Sequence, residues 1–311
     1  MNLKKKSDSL TFTLDVVCSG FVRLLLVLTI IFAHRIPEWQ TLALQFSAAS
    51  VLYLIAAWIV NRMSEGFSAM AVRTAIVLGL FGFLFGAVAG LQHILVAGWR
   101  DDVLLSLEHT LTGTESTLLL QKFIHPFLTE GMMFAYVIYV AMLPLVAYIC
   151  FWAGGQRATN DYLLNLSLAN IGCYLGFILF PVASPMYYQP ELYTVPLQGG
   201  FFTWCGEWMR HNVHYAGGSL PSPHCAAATV MLMMLYRYNR KIFFVALPTI
   251  ITLYVSTVYG RYHYALDGIA GIITAVVVVK FSPMLVTLAE SARIRLTQLL
   301  KTSSVTETIS E

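Results

Sequence analysis

Two histidines are the residues in this sequence best placed to do chemistry. His224 stands in GGSLPSPHCAA and His263 in STVYGRYHYALDG, 39 residues later. His263 and Asp267 are four apart, so on a helix they share a face. The carboxylate can then hold one ring nitrogen and leave the other free to attack an electrophile or take a proton. Gly217, Gly218, Pro221 and Pro223 stop a helix before His224, and the apolar run from Cys225 begins one. A helix N-terminus presents free N–H groups and the positive end of a dipole, which favours an anion such as phosphate. Ser222 could add a hydroxyl there, and Arg261 could pair bidentately with phosphate oxygens. The interval between the histidines suits two antiparallel spans joined by a short turn at 237–241, which would return the chain to the same surface.

Each piece has a plainer explanation. An H-x-x-x-D spacing arises by chance or serves as a cap, and His224, His263 and Asp267 could instead form a three-ligand zinc set, which the charge of Arg261 opposes. The convergence of two imidazoles, a carboxylate, a serine and an arginine in a charge-poor chain favours function over a metal site. The other histidines carry less. His34 and His125 fall at predicted helix ends and read as structural, while His93 could face the interior from the end of a span. His109 lies in a loop. His211 and His214, beside Arg210, read as surface residues, with contact to an anionic head group as the alternative.

The elements that must position these residues are helices in a bilayer. Of 311 residues, 58% are hydrophobic and 11% charged, with mean hydropathy +0.70, whereas soluble domains carry about 25% charge. This excludes a water-soluble domain, and a net charge of +3 gives no ground for nucleic-acid binding. Apolar runs near 14–34, 41–60, 74–97, 131–151, 162–181, 224–238, 242–260 and 268–289 predict an all-α, polytopic bundle of about eight transmembrane spans. Lys4, Lys5 and Lys6 flank the first run as a retained anchor rather than a cleaved leader. Alternate connections carry 13 and 5 basic residues, which puts both termini in the cytoplasm and the connections 98–130, 182–223 and 261–267 on the extracytoplasmic or lumenal face. Five cysteines without a CxxC pair suggest neither zinc nor a disulfide framework.

Four segments follow: a three-span N-terminal part (1–97), an outer loop (98–130), a helical core (131–290) and a cytoplasmic tail (291–311) expected to be disordered from Thr302. Within the outer loop, apolar residues of 117–128 share a face, as in a helix lying in the membrane interface.

The motifs resemble the type-2 phosphatidic acid phosphatase superfamily, whose signature pairs PSGH with SR-x5-H-x3-D. Here the segments read Pro221-Ser222-Pro223-His224 and Ser256-Thr257-x5-His263-x3-Asp267, with proline and threonine at the family's glycine and arginine. The family's Lys-x6-Arg-Pro segment is replaced by FPVASPMYY, Phe180 to Tyr188. These departures, and the stretch 101–144, are similar to the branch containing inositol phosphorylceramide synthase, so the resemblance spans roughly 100–285. It implies attack by His263, oriented by Asp267, on a lipid phosphate to form a phosphohistidine, with His224 as acid and base, membrane lipids as partners and no metal or organic cofactor. Arg261, Arg210, Tyr187 and Tyr188 are the implied substrate contacts beside Ser222. A lipid alcohol as acceptor would make the chain a phosphotransferase and water would make it a lipid phosphatase. A transporter that binds a lipid phosphate without cleaving it is the reading from another class.

Overall fold

The computed structural model describes residues 3–309, with side chains from 9 to 298 except Leu296. The Lys4–Lys6 anchor and Lys301 have side chains outside the described residues. Helix α1 (Leu3–Ile31) packs on α2 (Trp39–Val60), and α3 (Phe67–Ala87) completes the N-terminal part. Two short helices follow, α4 (Asp101–Thr112) and α5 (Ser116–Gln121), then the long α6 (Pro126–Leu179). Beyond it come α7 (Pro185–Tyr188), α8 (Phe201–Asn212), α9 (Pro223–Tyr238), α10 (Arg240–Tyr259) and α11 (Ala265–Ile309).

Among the described residues six helices are long and apolar enough to cross a membrane: α1, α2, α3, α6, α10 and α11. Helix α6 is two arms folded on each other. Its helical geometry breaks at Gly154 and at Gly155, where φ is +65°, a conformation glycine adopts without a Cβ penalty. The arms then lie side by side: the Tyr162 hydroxyl donates to Leu143 O at 3.0 Å, although a straight helix would separate these residues by about 28 Å. Helix α9, with 16 residues, reaches only about 24 Å, short of a full hydrocarbon layer. It lies inside the bundle against α6, α10 and α11, and Cys225, Ala226, Val230, Met231 and Met234 are buried completely.

Burial shows what surrounds the bundle. Only 22% of the most apolar stretch of α11 and 44% of that of α3 is buried, so the remaining leucines, valines and phenylalanines face outward, as a hydrocarbon solvent requires.

Several boundaries depart from expectation. The third helix begins at Phe67 rather than near 74, because Arg73 is drawn into it: the guanidinium is buried and bonds Asp15 of α1 at 3.0 Å. The segment expected to be disordered from Thr302 continues α11 as far as Ile309. The interface-lying helix expected over 117–128 is shorter, ending at Gln121, and most of the preceding loop is helix α4, which hydropathy alone does not reveal. Two acids in its first turn and the left-handed Gly113 at its end were the available signals.

Candidate functional site

Helices α9 and α11 both begin at the same end of the bundle, with α10 running back between them, so two helix N-termini converge there. The residues that start each helix lock them together. Ser222 caps α9, its hydroxyl accepting from Cys225 N at 3.4 Å, and its own N–H donates to Asp267 O at 2.9 Å. Asp267, in the first turn of α11, accepts from Tyr264 N at 3.0 Å, the back-reaching half of a capping box.

This junction brings His224 and His263 together. His224 Nδ1 lies 3.3 Å from His263 Nε2. His263 precedes α11 rather than lying on it, so Asp267 does not orient it by a simple i,i+4 contact. Its Nδ1 is 3.0 Å from Ser219 O and 3.5 Å from Asp267 Oδ2, the second longer than a good hydrogen bond. Ser219 Oγ joins the two, donating to Asp267 Oδ2 at 2.5 Å and standing 3.2 Å from His263 Nδ1. With Nδ1–H given to Ser219 O, the Nε2 lone pair is left facing His224.

The rings line a small pocket with Phe85, Ser184, Met186, His214, Tyr215, Gly217, Gly218 and Tyr262. Its free space is about 20 Å³, room for roughly one water, so a substrate phosphate needs the lining to withdraw. A roomier cavity of about 440 Å³, lined among others by Arg157, Asp161, Arg237 and Glu290, opens near the other end of α9, about 20 Å from His224, and takes no part in this site.

Histidine 214, read from sequence as a surface residue, belongs to the pocket. Tyr136 OH is 2.9 Å from its Nε2, and its ring stands edge-on to Tyr262 at 4.9 Å. Burial, with smaller contributions from His263 and Arg210, lowers its pKa to about 4 and keeps it neutral. Its neighbour His211 is exposed. His125 caps α6, accepting from Phe127 N at 3.3 Å, and His93 is exposed against Trp99 rather than facing the interior.

The other residues singled out from sequence lie outside the pocket lining. Ser222 is fully buried at the cap of α9. Arg261 has φ +66°, which turns its side chain away to Gln121 Oε1 at 3.2 Å, to Val195 O and onto the Tyr193 ring. Arg210 is paired with Glu207 one turn earlier on α8, and Tyr187 and Tyr188 are exposed on α7.

Helix α4 braces the pocket from outside. Asp101, Leu104 and Glu108 form one buried face. Asp101 accepts from Ala183 N at 2.8 Å, Ser184 N at 3.2 Å and the Tyr264 hydroxyl at 2.9 Å. Burial raises its carboxyl pKa, and those hydrogen bonds oppose the rise. Glu108 accepts from Ala265 N at 2.6 Å, at the start of α11. Gln92 supports the opposite wall by accepting from Gly218 N at 2.9 Å. Among the described residues no group of three or more His, Cys, Asp and Glu side chains is arranged as a metal ion's ligands would be.

A family model described as the PAP2 superfamily matches residues 103–281, more than half of the chain. The chain belongs to the PAP2 superfamily. The match runs from α4 into α11 and takes in both histidines, Asp267 and the loops that orient them. Membership brings a lipid phosphatase or phosphotransferase kind of function, and helices α1 to α3 lie before the matched region. No curated protein and no solved structure matches the chain.

Proposed function

We propose that this PAP2 superfamily member is an integral-membrane lipid phosphotransferase of the inositol phosphorylceramide synthase type, moving a phospho-head-group from a phospholipid to a lipid alcohol. The observation that carries the reading is the 3.3 Å approach of His224 Nδ1 to His263 Nε2, with His263 Nδ1 occupied by Ser219 O. His263 Nε2 attacks phosphorus. The bond from phosphorus to the donor's alcohol oxygen breaks, and His224, which takes up a proton together with the anionic donor, gives it to that oxygen. His224 then takes the proton of the acceptor hydroxyl, whose oxygen displaces His263 from phosphorus and regenerates both rings. Holding the reactants in line and stabilising charge supplies most of what phosphoryl transfer asks of a protein.

The preference for a transferase rests on charge. No lysine or arginine is among the residues lining the pocket. Such a lining suits the single negative charge of a phosphodiester donor better than the near-dianion of a phosphate monoester, the substrate of a phosphatase. We place the pocket on the extracytoplasmic or lumenal face, from the 13-to-5 distribution of basic residues between alternate connections.

The test offers purified protein a phospholipid donor with ceramide or diacylglycerol and reads the lipids by mass spectrometry. A phosphorylated acceptor is expected, together with an acid-labile, base-stable label on the protein that disappears in His263→Ala. Release of inorganic phosphate alone would make the enzyme a phosphatase, and full lipid binding without turnover in the wild type would make it a carrier.

A further inference from the structure

In the segment 180–188, between α6 and the end of α7, the most unusual member is Ser184. It is 3% exposed, it lines the histidine pocket, and its hydroxyl is buried without a hydrogen-bond partner. An unpaired buried hydroxyl is costly. Its backbone is costly too, because φ is +89°, a region that disfavours residues with a Cβ. Glycine would relieve both costs, so the serine is held in place by something else in the structure.

That support is visible. Asp101 takes the N–H groups of Ala183 and Ser184 at 2.8 and 3.2 Å, while Ser184 O starts α7 by accepting from Tyr187 N and Tyr188 N at 3.1 and 3.0 Å. The other side of the segment is tied to the loop before α9, where Gly217 N donates to Ala183 O at 3.0 Å. Asp101 also holds the hydroxyl of Tyr264, the residue next to His263. One carboxylate therefore sets Ser184 in register with the attacking imidazole. The pocket lining, meanwhile, supplies no cationic side chain to meet a phosphate oxygen.

We propose that the Ser184 hydroxyl is a substrate-binding group, donating a hydrogen bond to a non-bridging oxygen of the phosphate between His224 and His263, with Asp101 as its positioning residue. This rests on reading the histidine pair as a phosphoryl-transfer site. The strained backbone and the unpaired hydroxyl are then the preorganised half of a contact completed by the substrate.

Ser184→Ala keeps the Cβ and removes the hydroxyl. Ser184→Gly removes it while relaxing the backbone, so it remains informative if the alanine variant folds poorly. Full-length protein in lipid nanodiscs is assayed for kcat and KM with a phospholipid donor and for inhibition by orthovanadate, a phosphate mimic, beside His263→Ala. The expected result is a loss of about tenfold or more in kcat/KM and in vanadate affinity in both serine variants, the scale of one hydrogen bond to a charged group, with the melting temperature of Ser184→Gly equal to or above that of the wild type. If His263→Ala is inactive but either serine variant keeps kcat/KM and vanadate affinity within about twofold of wild type, Ser184 does not bind the phosphate and the histidine site stands. If His263→Ala keeps turnover, the site reading fails and the role of Ser184 fails with it.

Discussion

The hydroxyl of Tyr264 donates to the carboxylate of Asp101 at 2.9 Å, across 163 residues of sequence, and so ties the residue after His263 to the first turn of α4. Removing either partner should loosen the pocket without touching a reacting atom. Tyr264→Phe and Asp101→Asn are each expected to cost about 1–3 kcal/mol of stability, with a coupling of at least about 0.5 kcal/mol in the double variant. Thermal melts read the stability. A raised KM in Asp101→Asn, larger than in Tyr264→Phe, would separate the positioning of Ser184 from general loosening.

His263 is oriented chiefly by a backbone carbonyl, with Asp267 at longer range. Substitutions should therefore be graded. His263→Ala removes turnover, Asp267→Asn lowers kcat on the order of 10²-fold, and Ser219→Ala, which leaves the carbonyl in place, costs about tenfold. Equal losses in Asp267→Asn and His263→Ala would assign orientation to the carboxylate alone.

His214 is neutral down to about pH 4 in the folded protein, against an ordinary value of 6.5. The unfolded chain binds this proton at higher pH, so the stability contributed is fully present above pH 6.5 and is lost as pH falls toward 4. Melting temperature measured between pH 7 and 4 should fall less steeply in His214→Asn than in the wild type. The pH–rate profile above pH 5 should keep its shape in that variant, since His214 does not titrate there.

At Gly176, α6 lies directly against the loop before α9. A Cβ there would collide with Pro221 Cδ and lie 2.9 Å from Leu220 O. Gly176→Ala should destabilise by about 1–3 kcal/mol through overpacking and lower activity beyond that, because Ser222 and His224 follow directly. A variant with wild-type melting and wild-type kcat would show that the loop gives way freely.

Sidedness can be read independently of activity. With other accessible thiols removed, a cysteine at Lys122 should react with an impermeant reagent added to the extracytoplasmic or lumenal side, and one at Arg240 only after permeabilisation. The reverse pattern would invert the topology drawn from basic residues.

The apolar runs announce the spans because hydrocarbon leaves a helix no alternative partner for its backbone, and each of the eight expected runs overlaps a helix, although the third, expected to 97, stops being helical after Leu91. The approach of His224 to His263 was legible for a similar reason: helix length and a short turn at Asn239 determine where the chain comes back. The loops were not. His214 and Ser184 line the pocket, and Ser219 and Gln92 hold residues that line it, through contacts between segments far apart in sequence, which no periodicity records. Arg261 misled because a guanidinium two residues before His263 looks like a phosphate ligand until its positive φ directs it elsewhere. Helix α4 escaped notice because its inward face is largely acidic, Asp101 and Glu108 around Leu104, the opposite of the apolar stripe used to find amphipathic helices.

Those two acids also set a schedule for biogenesis. Both emerge early from the ribosome, yet Asp101 needs Tyr264, and Glu108 needs Ala265, where α11 begins more than 150 residues later. A nascent chain that stops before Tyr264 carries two carboxylates deprived of these donors, so the fold around α4 closes only once the start of α11 has been made.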